Sequence, residues 1–211
     1  MPALSLDLSQ TKLFTSILKK EKGNLRLRAF YPSGHPFKSS DSGRKGEPKR
    51  ATVEEWQNEG RGVYAVINDG GDTDSEITKC RAVFCEWDDR PKEWQVDAWK
   101  GLGLPEPTLQ VDTGGKSIHN YWVFAEPISV DDWKSLQTRL LDHADADRSL
   151  KNPSRVMRLP GTFHIDGDGN PGGLTSIIHT SENYYTVRDI EKGLPSRKIH
   201  EKMIEAGRYS D

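Results

Sequence analysis

With 211 residues, 34% of them hydrophobic and 29% charged, the chain has the length for one sizeable domain with a modest core and a heavily solvated surface. Six Trp and several strongly apolar runs exclude a disordered chain. A formal net charge of −2 excludes a uniformly basic nucleic-acid coat but leaves room for a local basic groove, because steering depends on where charges sit.

Cys80 and Cys85 are the only cysteines, so a four-ligand zinc site cannot be completed from thiols alone. They suit a reduced compartment, with Cys85 as a small buried apolar residue. Residues 1–19 lack a basic segment followed by an apolar stretch, and no run approaches the roughly 20 apolar residues that span a bilayer. The expectation is a soluble, cytoplasmic protein with no membrane partner.

Leu8 to Lys20 places Leu13, Phe14, Ile17 and Leu18 on one stripe and reads as a helix. Asn24 to Tyr31 alternates as a strand does. Residues 32–50, rich in Gly, Ser, Pro, Lys and Arg, read as a long surface loop. Thr52 to Glu55 has the form of a capping box opening a short helix that Gly60 ends. Val63 to Ile67 and Arg81 to Trp87 read as strands, and Pro91 starts a helix with a Trp94, Ala98 and Trp99 face. Thr108 to Asp112 and Ile118 to Phe124 are strands joined by a tight turn at Thr113-Gly114-Gly115. Ser129 to His143 is the clearest amphipathic helix, with Val130, Trp133, Leu136 and Leu140 in register. Arg155 to Leu159 and Ser176 to His179 supply further strands, and Thr186 caps a short helix that Gly193 stops. This order, with a hairpin in the middle, predicts an α+β fold with a largely antiparallel sheet.

The most informative segment runs from Arg81 to Asp89. Side chains on a strand alternate, so Glu86 and Asp88 point the same way, roughly 7 Å apart along the strand, with Val83, Cys85 and Trp87 on the other face. Two carboxylates on one face repel unless a cation lies between them, and hard divalent ions take such oxygen ligands. The same residues also suit a strand running out into a solvated turn. Two look-alikes fail. Gly115-Lys116-Ser117 imitates the end of a P-loop, but position 110 is Gln110 and the run Ile118 to Phe124 is strand-like where a helix is needed. Asp166 to Asn170 imitates a calcium loop, but Pro171 and Ile177 stand where Gly and Glu are needed, and a hairpin turn accounts for it better.

Three ordered segments resemble the archaeo-eukaryotic primase superfamily, most closely its primase-polymerase and RepB-like primase branch. They are Glu86-Trp87-Asp88, Ser117-Ile118-His119, and Asp147 followed by Arg155-Val156-Met157-Arg158-Leu159-Pro160-Gly161-Thr162. The likeness covers roughly residues 60–180, and Glu86 stands where the family more often has Asp, which bears on metal preference.

The resemblance implies an RRM-like antiparallel sheet core bearing the acidic site, packed with an N-terminal α/β unit. The catalytic domain would span residues 1–195, the N-terminal unit about 1–80 and the core about 81–195, with 196–211 a charged extension or start of a linker. It implies a DNA primase-polymerase carrying out template-directed nucleotidyl transfer, with two Mg²⁺ or Mn²⁺ ions held by Glu86, Asp88 and Asp147. The partners are then DNA template and primer, nucleoside triphosphates, and, in a replicative primase, a helicase domain downstream of Asp211. Ser117 and His119 share a strand face and suit phosphate oxygens. Lys116, Arg155 and His164 are further nucleotide-binding candidates. Arg155 and Arg158 are three apart, so on a strand only one faces the triphosphate, and Arg158 is the preferred one. Arg26, Arg28, Arg44 and Lys45 are candidates for gripping template phosphates. The alternative is a replication-origin or single-stranded DNA binding module that kept the fold without catalysis.

Overall fold

The computed structural model describes residues 4–20 and 24–209. In chain order, α1 (Leu8–Ile17) precedes β1 (Leu27–Phe30), β2 (Arg44–Gly46), α2 (Arg50–Asn58) and β3 (Gly62–Val66). Next come β4 (Cys80–Cys85), α3 (Lys92–Gly101), β5 (Leu109–Asp112), β6 (Ile118–Ile128) and α4 (Val130–Ala144). A 3₁₀ turn (Arg148–Lys151) leads to β7 (Val156–Arg158), β8 (Phe163–Ile165), β9 (Pro171–Leu174), β10 (Ser176–Thr180), α5 (Val187–Glu191) and α6 (Arg197–Glu205). The fold is α+β, as the pattern predicts. Its strands form two four-stranded antiparallel sheets, ordered β2-β1-β3-β7 and β10-β5-β6-β4, and a β8-β9 hairpin. No helix among the described residues is long and apolar enough to cross a membrane.

The second sheet bears the acidic strand, and α4 covers the open edge of that strand. β4 pairs with β6 on one side only, so alternate backbone groups on its other side need partners. Trp133 Nε1 donates to the Ala82 carbonyl at 2.7 Å. The Gln137 amide accepts from Phe84 N–H at 3.1 Å and donates to the Phe84 carbonyl at 2.8 Å, much as a neighbouring strand would. Two residues on, Asp147 N–H donates to the Glu86 carbonyl at 3.1 Å. Trp87 Nε1 then closes onto the Ala144 carbonyl at 3.0 Å.

The first sheet is completed from the far end of the chain. β7 pairs with β3, setting Arg158 opposite Tyr64 and Met157 opposite Ala65, so the division expected near residue 80 is one of chain order that β7 crosses. The turn after β7 is fastened by α1: Asp7 N–H donates to the Gly161 carbonyl and Thr11 to the Pro160 carbonyl, at 3.0 and 2.7 Å.

Several expectations are corrected. The loop expected over residues 32–50 contains β2, which β1 recruits in the register Leu27 to Gly46. The capping box expected at Thr52 and Glu55 does not form, because α2 begins at Arg50, after Lys49, and encloses both residues. Boxes form instead at Thr73 with Glu76 and at Thr186 with Asp189. The Asp166 to Asn170 segment is the expected hairpin turn, but its flanks pair as β8 and β9. Within the stretch expected as a charged extension or start of a linker, residues 197–205 form α6, whose His200 is buried at 2.7 Å from Asp142.

The connection from β1 to β2 is organised by one enclosed ion pair. Arg61 Nη1 meets Asp41 Oδ1 at 2.7 Å, both side chains 4% exposed, and the Arg61 guanidinium lies 3.8 Å over the Tyr31 ring. Asp41 also accepts the N–H groups of Tyr31 and Gly43 at 3.1 and 3.0 Å. Burial raises the Asp41 carboxyl, but these donors outweigh it and hold its pKa at about 2. The stabilisation is therefore complete above the unfolded carboxyl value and is lost as pH falls through about 2. Asp41→Asn should destabilise the protein by roughly 3 kcal/mol at neutral pH by leaving Arg61 enclosed and half-paired. Thermal melts of the two proteins should converge as pH is lowered from 5 towards ~2.

Candidate active site

Glu86 and Asp88 leave the end of β4 and line a cleft of about 410 Å³ between the two sheets. Ser117 and His119 come from the start of β6, Lys116 and Gly115 from the β5–β6 turn, Arg158 from β7, Arg155 from just before it, His164 from β8 and Tyr64 from β3. The strand that begins after Gly115-Lys116-Ser117 bears out the rejection of a P-loop.

Gln95 of α3, fully buried, sets the start of β6. Its amide donates to the Lys116 carbonyl at 3.2 Å and accepts from Ile118 N–H at 2.7 Å, gripping the chain on both sides of Ser117. The Thr113 hydroxyl fixes the other side, donating to the Ser117 carbonyl at 2.8 Å. Ser117 in turn donates to Asp88 Oδ1 at 2.6 Å. His119 Nε2 stands 3.1 Å from Glu86 Oε2, and its Nδ1 lies 3.2 Å from the Tyr121 hydroxyl. Burial pushes the Tyr121 pKa well up, so that hydroxyl keeps its proton. For Glu86 burial alone would raise the pKa. The charge and hydrogen bond of His119, with Ser117 and the charge of Arg155, outweigh burial and hold it below the usual range.

Ser117 and His119 are thus engaged with the two acids rather than standing free for phosphate. Asp147 sits beside the cleft. Its backbone is tied to Glu86, while its carboxylate caps the 3₁₀ turn through Ser149 N–H and hydroxyl at 2.9 and 2.6 Å. Among the described residues no three His, Cys, Asp or Glu side chains converge as a ready metal cage. The donor chemistry nevertheless fits a hard divalent ion, with two carboxylates on the cleft wall and the Asp147 backbone tied to that of Glu86.

Arg155 and Arg158 both line the cleft. Strand alternation does not separate them, because Arg155 precedes β7. Arg155 hydrogen-bonds Ser149 and lies 4.0 Å from Asp147. Arg158 and Lys116 have no acidic partner among the described residues, and the Arg158 guanidinium lies 5.1 Å from the Tyr64 ring centroid. His164 Nδ1 is buried without a hydrogen-bond partner. Burial, then the charges of Arg158 and Lys92, lower the His164 pKa, which favours its neutral form. A Cβ at Gly115 would stand 2.7 Å from the His164 ring, so the turn needs glycine there.

The proposed template contacts lie apart from the acids. Arg26 is held by Asp72 at 2.8 and 3.1 Å, Lys45 shares Asp72 at 3.3 Å, and Arg44 faces Glu59 at 3.8 Å. Arg28 keeps a buried Nε with no hydrogen-bond partner among the described residues. Sequence reasoning missed Tyr64, Gln95 and Gln137. The one available signal was a Gln beside the apolar stripe of α4, next to Leu136.

The structure is similar to that of the AEP domain of the primase-polymerase of cyanophage S-2L. The two are 39% identical over 91% of this chain and 100% of that one, with a TM-score of 0.83. It also resembles the primase RepB′, at 14% identity and a TM-score of 0.63 over 95% of this chain and 66% of that one. The catalytic domain of RepB′ in complex with initiator DNA matches at 14% identity and a TM-score of 0.61 over 97% and 98%. At that identity the RepB′ likeness speaks to the fold alone. No family model matches the sequence, and no curated protein does.

Removing the His119 ring should leave burial to act on Glu86 unopposed by its main partner. In the wild type the pair contributes stability that is full above the ordinary carboxyl value near 4.5 and is lost as pH falls through the lowered one. In His119→Ala the Glu86 pKa should move upward, each unit corresponding to about 1.4 kcal/mol. A carbon-detected NMR titration of the Glu86 carboxyl checks this, and an unmoved value would refute the pairing.

Proposed function

The chain belongs to the primase-polymerase branch of the archaeo-eukaryotic primases, and from that premise we propose that it joins nucleotides on a DNA template, drawing nucleoside triphosphates into the cleft between its sheets. The polarity of the cleft carries this reading. Glu86 and Asp88 stand on one wall, with Lys116, Arg155, Arg158 and His164 around the same space. A triphosphate fits such a site, with its anionic oxygens on the cations and its reacting end towards the acids.

Glu86 and Asp88, joined by Asp147 once its carboxylate leaves Ser149, would hold Mg²⁺ or Mn²⁺. When bound, a pair of such ions makes the attacking 3′-hydroxyl more acidic and offsets charge on the departing pyrophosphate. The chain's own residues do the rest. His119 keeps Glu86 ionised and fixed in place, and Ser117 orients Asp88. Lys116 and Arg158, unspent on acids, bind phosphate oxygens, and the orphaned Nδ1 of His164 supplies a further polar contact. Arg155 sits between Asp147 and the nucleotide and steadies both.

Asp88→Ala and Asp147→Ala should each lower primer extension by well over tenfold, a decade being about 1.4 kcal/mol of transition-state stabilisation, with a native circular-dichroism spectrum. Incorporation above a tenth of wild type would remove these acids from the reaction. Mn²⁺ should raise the melting temperature of the wild type and shift Asp88→Asn much less. Arg158→Ala should weaken nucleoside triphosphate binding more than DNA binding, as separate titrations would show. A wild type that binds DNA and never incorporates would favour a binding module instead.

A further inference from the structure

The carboxylate of Asp147 is held by its own turn. Its N–H is tied to the Glu86 carbonyl at 3.1 Å, and its carbonyl accepts the N–H of Leu150 at 3.3 Å. Leu150 is buried, and its own carbonyl accepts from Gln137 at 3.2 Å. The backbone around Asp147 is therefore fixed, and the side chain is left to turn between staggered positions. In the position seen, both carboxylate oxygens are engaged. Oδ1 accepts the Ser149 N–H at 2.9 Å and Oδ2 the Ser149 hydroxyl at 2.6 Å. The acids that line the cleft are Glu86 and Asp88.

The same hydroxyl accepts a hydrogen bond from Arg155 Nη2, which also lies 4.0 Å from Asp147 Oδ2. In such a chain each bond polarises the next, so the cation tightens the grip of the hydroxyl on the carboxylate. Arg148, next to Asp147 in sequence, is occupied elsewhere, pairing with Asp142 and Asp145 at 2.9 and 3.3 Å. Arg155 differs because it lines the cleft, where its charge also acts on Glu86. Of Asp147, Ser149 and Arg155, it is the member that an anion in the cleft can draw away.

We infer that Ser149, backed by Arg155, is a positioning residue that parks Asp147 off the metal site, and that a triphosphate releases Asp147 by taking Arg155. That the three acids hold a divalent ion rests on the proposed function. With Arg155 on phosphate, Asp147 loses a neighbouring cation and the polarised hydroxyl, and its carboxylate is freed for the ion. Nucleotide and metal are thereby coupled through side chains of the protein, and the coupling is reciprocal.

The latch predicts an effect opposite in sign to that of a structural role. Ser149 is exposed, so Ser149→Ala should keep a native circular-dichroism spectrum. Without nucleotide, Ser149→Ala should bind Mn²⁺ more tightly than the wild type, by up to about tenfold, because a hydrogen bond to a charged group no longer competes. The electron paramagnetic resonance signal of free Mn²⁺, titrated with the full chain, reads this directly. Ser149→Ala/Asp147→Asn should lose the gain. The titration is then repeated without DNA at one fixed concentration of a 2′,3′-dideoxynucleoside triphosphate, so that Mn²⁺ held by the nucleotide itself is common to both proteins. The gap between wild type and Ser149→Ala should narrow there, since the nucleotide has already drawn Arg155 away. A Ser149→Ala protein that binds Mn²⁺ no more tightly than the wild type would overturn the latch, and so would a gap that the nucleotide leaves unchanged. Failure of the nucleotidyl-transfer reading looks different: the gap would appear and narrow as expected, while the wild type incorporates nothing on a primed template.

Discussion

The open edge of β4 is the constraint on which the acidic site depends. A strand paired on one side must find partners for its other backbone groups, and here every second residue finds them on α4 and the turn beyond it. Trp133 serves Ala82, Gln137 serves Phe84, and Asp147 serves Glu86. Asp147 and Glu86, 61 positions apart in the chain, are brought together by the continuation of a strand edge. The packing that buries α4 therefore also ties the backbone of Asp147 to that of Glu86.

A second constraint supplies the opposite wall. β7 returns to the first sheet after the chain has completed β4, β5, β6 and α4, and its pairing with β3 sets Arg158 beside Tyr64. The following Leu159-Pro160-Gly161 turn is held by Asp7 and Thr11 from the start of the chain. The cleft therefore lies between two sheets, one carrying the acids, the other Tyr64 and Arg158. That separation keeps Arg158 from being neutralised by Glu86 and Asp88, which hydrogen-bond or pair with His119 and Ser117. Acids satisfied by neighbouring donors, and cations left open, form an arrangement suited to an anionic ligand.

The same division runs outward over the first sheet. Acids on that surface are consumed locally, Asp41 by Arg61 and Asp72 by Arg26 and Lys45. Arg28, Lys38 and Arg158 remain beside aromatic rings. A near-neutral protein can in this way present a locally cationic path without a large net charge.

The sequence by itself determined the elements with strong period and the chemistry of the acidic strand. Leu109 to Asp112 and Ile118 to Phe124 read correctly as enclosed runs bounded by turn residues, and α4 because it buries one face at helical spacing. Glu86 and Asp88 were legible because alternation over a few residues fixes their shared side, and Ser117 and His119 entered through the family resemblance. The strands β2, β8 and β9 were not legible, since they lie in stretches rich in Gly, Pro and charged residues that read as loop and turn. Only the tertiary structure decided that Arg155 and Arg158 both reach the cleft, that Ser117 and His119 serve the acids, that Arg26 is spent on Asp72, and that Gln95 and Gln137 hold the strands in place. Those outcomes depend on which distant backbone and side-chain groups meet. Local sequence sets what a residue offers, and strand pairing between distant segments sets what it finds.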